Sequence, residues 1–355
     1  MKSLYDYVKC QCDIKFGIHS TCFISPKFVN NNRSILHLAL KLNLKTGYQN
    51  QALKSVDRKT LTLEETMVVG VQIVLPPTQA VSNAKGFIAT VASSGGALSH
   101  WPAHVQVLDN KPFNEVFLGL LQDRMQVWKT QPKKPDGTQN GAQPQRQKQE
   151  RDMNIVIYHS GPAHKACFKA ISALKKQYSK VKVTLIEVFQ DHQADVQLPL
   201  SLQDATNEVK RSTVIIRTME AEKTWESLLH GHTTGKHPWQ SETPPKRKAL
   251  PVRYSVVHDD IFSSTKAGDG AREELEDLTH DMSYLAGCST SVVSSTLPIY
   301  YVGLLCNRIH SYVRPWYHPK PQSESEDKSK VEPVKPMTQD VVTVHSRIKD
   351  SMFYI

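Results

Sequence analysis

The order of the apolar runs along the chain limits its fold more than any other feature. Three runs of strand length follow one another closely, which indicates a meander. They lie at residues 67–73, 87–91 and 105–107. Apolar residues then recur at helical spacing over residues 113–128, and a helix at about 162–178 separates strands expected at 154–158 and 181–189. A meander followed by strands that alternate with helices predicts an α/β domain with a mixed β-sheet flanked by helices.

Further elements are expected toward the end of the chain. They are short strands at 213–216 and 253–257 and helices at 272–286 and 298–313. Residues 131–151 are rich in Gln, Pro and Gly, which predicts a disordered insertion, and residues 318–340 have the composition of a loose tail. The closing residues 351–355 are apolar. Because an apolar chain end frays unless something docks it, we expect this one to be packed.

Composition places the chain among soluble globular proteins. It has 355 residues, 39% of them hydrophobic and 22% charged, which suffices for one large domain or two ordinary ones. No apolar run reaches the roughly 18 residues of a membrane span, and the first residues lack the apolar core of a secretory signal. The six cysteines are scattered without a framework spacing. This usage favours a reducing compartment, so we expect a cytoplasmic or nuclear protein without membrane association.

Positive charge is concentrated at the N-terminus. Residues 1–60 contain ten Lys or Arg against three Asp and no Glu, so they contribute about seven of the net ten positive charges. A basic surface attracts phosphate backbones through the release of counterions. The alternative is a basic face that serves solubility alone.

Several stretches together resemble the eukaryotic Argonaute family, from the end of its Mid domain through its Piwi domain. They are Tyr5-Asp6-Tyr7-Val8-Lys9, LALKLNLKTG at 38–47, TMVVGV at 66–71, Trp101-Pro102-Ala103, Ile157-Tyr158 before Gly161, Asp259-Asp260-Ile261-Phe262, Tyr300-Tyr301 and the terminal Met352-Phe353-Tyr354-Ile355. The resemblance implies an RNase-H-like Piwi domain at 61–355, preceded at 1–60 by a remnant of the Mid domain and the Mid–Piwi junction. The N-terminal, PAZ and most of the Mid domain of the family have no counterpart, so we expect a fragment-like architecture.

The resemblance also implies that the cutting site of the family has been lost. RNase-H-like nucleases hold two Mg²⁺ ions with clustered carboxylates. The slots of two catalytic aspartates fall on Gln72 and Ser160, and the slot of a histidine falls on Arg253, a permanent cation that repels metal ions. Glu115 matches the catalytic glutamate, but one carboxylate cannot hold a metal pair. We therefore expect no slicer activity, no metal and no cofactor. The replaced side chains either fill a former site or, at Arg253, contact a phosphate.

A second site of the family, the pocket for the 5′ phosphate of the guide strand, keeps most of its residues. The matching positions are Tyr5, Lys9, Lys41 and Lys45, while a glutamine of that pocket is replaced by Thr21. Tyr5 and Lys9 are four residues apart, so a helix places them on one face. Lysine donors and a tyrosine hydroxyl suit a monophosphate. The alternative is a solvated lysine face over an apolar element.

The leucines of residues 36–45 leave the secondary structure around this pocket open. They alternate with polar or small residues, which alone predicts a strand, whereas the resemblance implies a helix. His37, Lys41 and Lys45 share a face in either case, because both periods bring every fourth residue to the same side.

These observations favour a nucleic-acid-binding protein that takes part in RNA silencing. Its expected partners are small guide RNA or other single-stranded RNA and the target strand of that guide. One alternative is a decoy or regulatory protein that docks onto a protein of a silencing complex. The other is a degenerate fragment without function.

Overall fold

The computed structural model describes the chain in eleven stretches. They are residues 2–23, 32–51, 61–109, 111–130, 153–190, 217–221, 224–229, 252–263, 269–290, 292–318 and 336–355. The predicted strand at 213–216 and the predicted disordered insertion at 131–151 lie outside the described residues.

Two helices and a sharp turn form the N-terminal part. Helix α1 (Lys2–Cys10) continues into one π-helical stretch (Gln11–Phe16) that ends at Gly17, and α2 (Asn32–Lys45) follows. Gly17 has φ 61°, a conformation that glycine adopts without cost. A Cβ atom there would lie 2.5 Å from the ring of His345, so the chain turns tightly against its own C-terminal segment.

An eight-stranded sheet forms the centre of the fold, in the order β3-β2-β1-β4-β5-β8-β7-β6. Its strands are β1 (Thr66–Val74), β2 (Phe87–Ala92), β3 (Ala103–Val107), β4 (Met153–Ser160), β5 (Val181–Phe189), β6 (Arg217–Ala221), β7 (Thr224–Leu229) and β8 (Val252–Asp259). β1, β4 and β5 pair in parallel and the other neighbours pair antiparallel. The mixed α/β sheet predicted from the sequence is therefore confirmed.

Helices cover both faces of this sheet, and a separate apolar core lies under each face. On one face α3 (Phe113–Thr130) and α4 (Lys165–Gln177) pack against apolar side chains of β1, β4 and β5. On the other face α5 (Asp269–Met282) and α6 (Leu297–Tyr317) form the larger core. Burial on both faces explains why the parallel strands are near-continuous apolar runs.

The sheet and α6 approach each other most closely at Gly70. A Cβ atom at this position would lie 2.3 Å from the carbonyl oxygen of Pro298 in the first turn of α6. The strand can therefore carry no side chain here, which holds the start of α6 against the middle of β1.

The C-terminal segment is packed more extensively than the sequence predicted. Met352, Phe353 and Ile355 are buried, and the Tyr354 hydroxyl donates to the carbonyl of Trp101 over 2.8 Å, so the docked end is confirmed. Residues 319–335 of the predicted loose tail lie outside the described residues, and its last part is anchored at two positions. Met337 is fully buried and a short 3₁₀ turn (Gln339–Val341) bonds to β3.

The structure also decides the secondary structure of residues 32–45 and adds a hairpin to the predicted sheet. Residues 32–45 are helical, so the alternating leucines do not form a strand. The hairpin of β6 and β7 was not expected from the sequence. In the part of the chain that the structure describes, we find no helix of the length and hydropathy needed to cross a membrane.

Candidate nucleic-acid-binding site

The first helix brings Tyr5 and Lys9 together, as their spacing predicted. The Lys9 ammonium lies 5.5 Å from the centre of the Tyr5 ring, in the geometry of a cation–π contact. Tyr5 is 39% exposed, whereas Lys9 is buried. The tyrosine therefore forms the rim of a site whose floor contains the lysine.

A single backbone carbonyl joins Lys9 to Lys45 of α2. Both ammonium groups donate to the carbonyl oxygen of Ser20, Lys9 over 2.7 Å and Lys45 over 2.8 Å. Lys9 also donates to the Ser20 hydroxyl over 2.8 Å. Both lysines are at most 2% exposed. Two buried cations from different helices thus converge on one point, which we call the lysine pocket (Lys9, Ser20 and Lys45).

Helix α6 adds a third buried cation beside the lysine pocket. The Arg308 guanidinium donates to the Asp13 carboxylate over 3.0 Å, and the Tyr312 hydroxyl donates to the same oxygen over 2.5 Å. Asp13 is 1% exposed and Arg308 is 5% exposed. Asp13 is thereby fixed by α6, and its backbone carbonyl also accepts a hydrogen bond from His345.

Positive charge exceeds negative charge around the lysine pocket, and the pKa values of both lysines are lowered. Burial, followed by the charges of Arg308 and Lys9, lowers the pKa of Lys45 to about 7. Burial and then Arg308 lower the pKa of Lys9 as well. Asp13 counteracts both shifts, but its carboxylate is already bonded to Arg308 and Tyr312. Such an excess of desolvated cations favours an added anion.

The remaining residues predicted for this site lie at its margin. The Thr21 hydroxyl and Nδ1 of His19 are buried and have no hydrogen-bond partner among the described residues. Lys41 is half-buried one turn before Lys45 on α2, and its charge contributes weakly to the lowered pKa of Lys45. Of the five predicted residues, the structure joins Tyr5, Lys9 and Lys45 directly, with Thr21 and Lys41 beside them.

The sheet brings two of the predicted catalytic slots together. Val71 of β1 lies opposite His159 of the parallel strand β4, so the residues that follow them, Gln72 and Ser160, are neighbours. Adjacent strands are about 4.8 Å apart, which suits two groups that share a ligand. Both side chains are half-buried and neutral.

Arg253 does not join this pair, contrary to the sequence-based expectation. Ser160 lies opposite Val188 of β5, and Val188 lies opposite Tyr254 of β8. Because side chains alternate along a strand, Tyr254 shares the face of Ser160 and Arg253 points to the other face. There its guanidinium lies 4.5 Å from the centre of the Phe189 ring. Neither a metal-repelling role nor a phosphate contact beside Ser160 fits this placement.

Glu115 lies near the same end of the sheet as Ser160, since the ring of Phe113 at the start of α3 is 5.4 Å from the ring of His164. It is exposed in the first turn of α3, which packs on the face of the sheet opposite to Gln72. Among the described residues, no group of three or more His, Cys, Asp or Glu side chains could hold a metal ion.

Comparison with known proteins identifies the family. The model of the Piwi domain matches residues 1–314. The chain belongs to the Piwi domain family. This Piwi-domain chain is 25% identical over 335 residues to protein argonaute 1C of Oryza sativa, a match that covers 88% of the chain and 31% of the relative. It spans about a third of the length of the curated relatives it matches.

Solved Argonaute structures share the fold of this Piwi-domain chain. The C-terminal lobe of a budding yeast Argonaute superimposes with a TM-score of 0.69 at 18% identity, covering 100% of the chain and 67% of that structure. The Kluyveromyces polysporus Argonaute, solved with a guide RNA, gives a TM-score of 0.64 at 16% identity and covers 100% and 38%. The fold is therefore the RNase-H-like fold of Argonaute Piwi domains.

Sequence reasoning missed Arg308, Asp13 and Tyr312. The available signal was the pair Arg308 and Tyr312, which are four residues apart and lie on the same, largely buried face of α6. A buried arginine on such a face requires an acidic partner. The sequence does not reveal that this partner is Asp13, 295 residues away.

Proposed function

We propose that this Piwi-domain chain binds single-stranded RNA through the 5′ phosphate of a guide strand, does not cleave it, and acts in RNA silencing as a binder. The convergence of Lys9 and Lys45 on the Ser20 carbonyl carries the proposal. These ammonium groups lie where a phosphate oxygen could replace the carbonyl as acceptor. The proposal also draws on the similarity to an Argonaute solved with a guide RNA.

The chemistry of the pocket suits a phosphate monoester. Two ammonium groups supply charged donors, and the buried hydroxyl of Thr21 supplies a neutral one. The exposed ring of Tyr5 forms a rim on which the first base could stack. A terminal phosphate carries more charge than an internal phosphodiester and has a single ester group, which suits a confined, positively charged pocket. We therefore expect selectivity for the 5′ end.

Binding without cleavage follows from the side chains at the ends of β1 and β4. Two-metal hydrolysis requires carboxylates that hold both ions. Gln72 and Ser160 occupy neighbouring positions there, and neither can supply a negative charge. A double variant, Gln72→Asp with Ser160→Asp, should lower the melting temperature without metal, because like charges repel, and regain it in millimolar Mg²⁺. Equal melting with and without Mg²⁺ would contradict this geometry.

The binding proposal is tested with two RNAs that differ only at the 5′ end. We expect the 5′-phosphorylated RNA to bind at least about tenfold more tightly than the 5′-hydroxyl RNA, with a steeper salt dependence. Lys9→Gln and Lys45→Gln should each remove most of that preference. Lys176→Gln is the matched control, since Lys176 is exposed on α4 across the sheet. Fluorescence anisotropy at several salt concentrations measures all four proteins.

Equal and weak binding of the two RNAs would reject the proposal. A docking role would then gain weight, because several large apolar side chains of α1 and α2 are exposed, among them Leu4, Tyr7, Ile35 and Leu42. A folded chain that binds neither RNA nor protein would point to a degenerate fragment.

A further inference from the structure

The two ammonium groups of the lysine pocket share an acceptor. Lys9 and Lys45 share one carbonyl oxygen, and the nearest carboxylate, Asp13, already accepts from Arg308 and Tyr312. A carbonyl dipole compensates a buried ammonium only in part. The protein itself therefore compensates the charge of the two ammonium groups only in part.

We propose that the lysine pocket takes up one proton when it binds a phosphate monoester above neutral pH, and that Lys45 is the group that accepts it. The inference rests on the proposed function and names how that site is regulated. Lys45 is the better candidate of the two lysines, since Lys9 has a second acceptor in the Ser20 hydroxyl, whereas Lys45 bonds only the carbonyl among the residues that the structure describes.

Several elements contribute charged or titratable groups around this proton, and the C-terminal segment adds His345 and Arg347 at the turn of Gly17. The other groups are Tyr5, Asp6 and Lys9 of α1, Cys12 and Asp13 of the π-helical stretch, His19 and Cys22 of the following loop, Lys41 of α2, and Arg308, Tyr312 and Arg314 of α6. Burial raises the pKa of Tyr5 and lowers that of His19, so both are neutral near pH 7. Asp6 is bonded to Arg314 over 2.9 Å. Asp13 is thus the carboxylate that faces the three buried cations.

The direction of the pH dependence follows from these charges. Because burial and the neighbouring cations lower its pKa to about 7, Lys45 loses its proton as the pH rises through neutrality. A bound phosphate dianion favours the ammonium form and raises that pKa toward its ordinary value. Each pH unit above about 7 then weakens binding by up to about tenfold, because one proton must be taken up. Below about pH 6 the phosphate itself becomes protonated, so affinity is highest between these limits.

The test measures the affinity for 5′-phosphorylated and 5′-hydroxyl RNA from about pH 6.5 to about pH 8.5. We expect the dissociation constant of the phosphorylated RNA to rise by about ten- to thirtyfold over this range, and that of the hydroxyl RNA to stay within about twofold. Lys45→Arg should flatten the profile, because a guanidinium keeps its charge throughout. Lys176→Gln should keep the profile of the unmodified protein. Calorimetry at pH 8 in buffers of different ionisation enthalpy counts the protons, and we expect a value near one.

The outcomes separate this inference from the function on which it rests. A phosphate preference that is constant across the range overturns the proton uptake and leaves the binding function standing. A profile that persists in Lys45→Arg overturns the assignment to Lys45. Absence of a phosphate preference at every pH overturns both proposals.

Discussion

Replacing Asp13 by asparagine tests the buried contact between the N-terminal helices and α6. Asparagine keeps the shape of the side chain and one acceptor oxygen, so the hydrogen bond from Tyr312 can persist. Arg308, 5% exposed, loses its counter-charge beside Lys9 and Lys45. Breaking a buried ion pair by removing one partner costs about 3–5 kcal/mol. An unfolding entropy of about 2.1 cal/mol/K per residue over 355 residues converts this into a melting temperature lower by about 4–7 °C.

Thermal unfolding followed by circular dichroism measures this change. Asp277→Asn on the exposed side of α5 is the matched control and should stay within about 0.5 kcal/mol of the unmodified protein. Adding Arg308→Met to Asp13→Asn should recover most of the loss, because the uncompensated charge is then gone. A single variant that melts within about 1 °C of the control would refute the reasoning, as would a double variant that is less stable than Asp13→Asn.

Two further predictions concern the sheet and its edge. Gly70→Ala should destabilise the fold by about 3 kcal/mol or more in denaturant unfolding, because its Cβ meets backbone atoms of α6. The control Gly303→Ala lies in open space on that helix and should be neutral or stabilising by up to about 1 kcal/mol. Equal effects of the two substitutions would contradict the close approach of β1 and α6. Hydrogen bonds from His104 and from the buried Arg124 hold the pKa of Asp123 well below its usual range, so this carboxylate stabilises the fold near pH 7. That contribution is lost as the pH falls from about 4 through the lower pKa of the folded state. The free energies of unfolding of Asp123→Asn and of the unmodified protein should therefore become equal at the lowest pH. A difference that grows as the pH falls would contradict the lowered pKa of Asp123.

The central sheet could be predicted from local patterns because its strands are buried on both faces. β5 was predicted at its observed bounds, and β1, β2 and β4 within two residues at either end. A long apolar run between turn residues has few alternative structures. The hairpin of β6 and β7 could not be predicted, since residues 217–229 alternate polar and apolar side chains too briefly.

The leucines of α2 show where a period can mislead. Leucine is a strong helix former, and no β-branched residue other than Ile35 interrupts residues 32–45. A period of two on a helix distributes leucines around the whole circumference. Leu36 and Leu42 are accordingly about half exposed, while Leu44 is buried. The helix propensity of these residues therefore outweighed the alternating pattern of residues 36–45. The pattern arises because some of the leucines lie on the exposed side of α2.

The candidate site was predictable where neighbours in sequence form it. Tyr5 and Lys9 meet because four residues make about one helical turn, and no such rule connects Asp13 with Arg308. Arg253 was misplaced for a related reason. A motif match assigns a position along a strand, whereas the pairing partners on the neighbouring strand decide which face the side chain occupies.

The contact between Asp13 and α6 also has a consequence for biosynthesis. Lys9 and Lys45 leave the ribosome more than 260 residues before Arg308 and Tyr312. Until α6 has been synthesised, Asp13 has no ion pair with Arg308, and the turn at Gly17 is not yet packed against His345. The anion pocket is therefore completed only after α6 has been synthesised, and nascent chains that stop before α6 should not retain phosphate-bearing RNA.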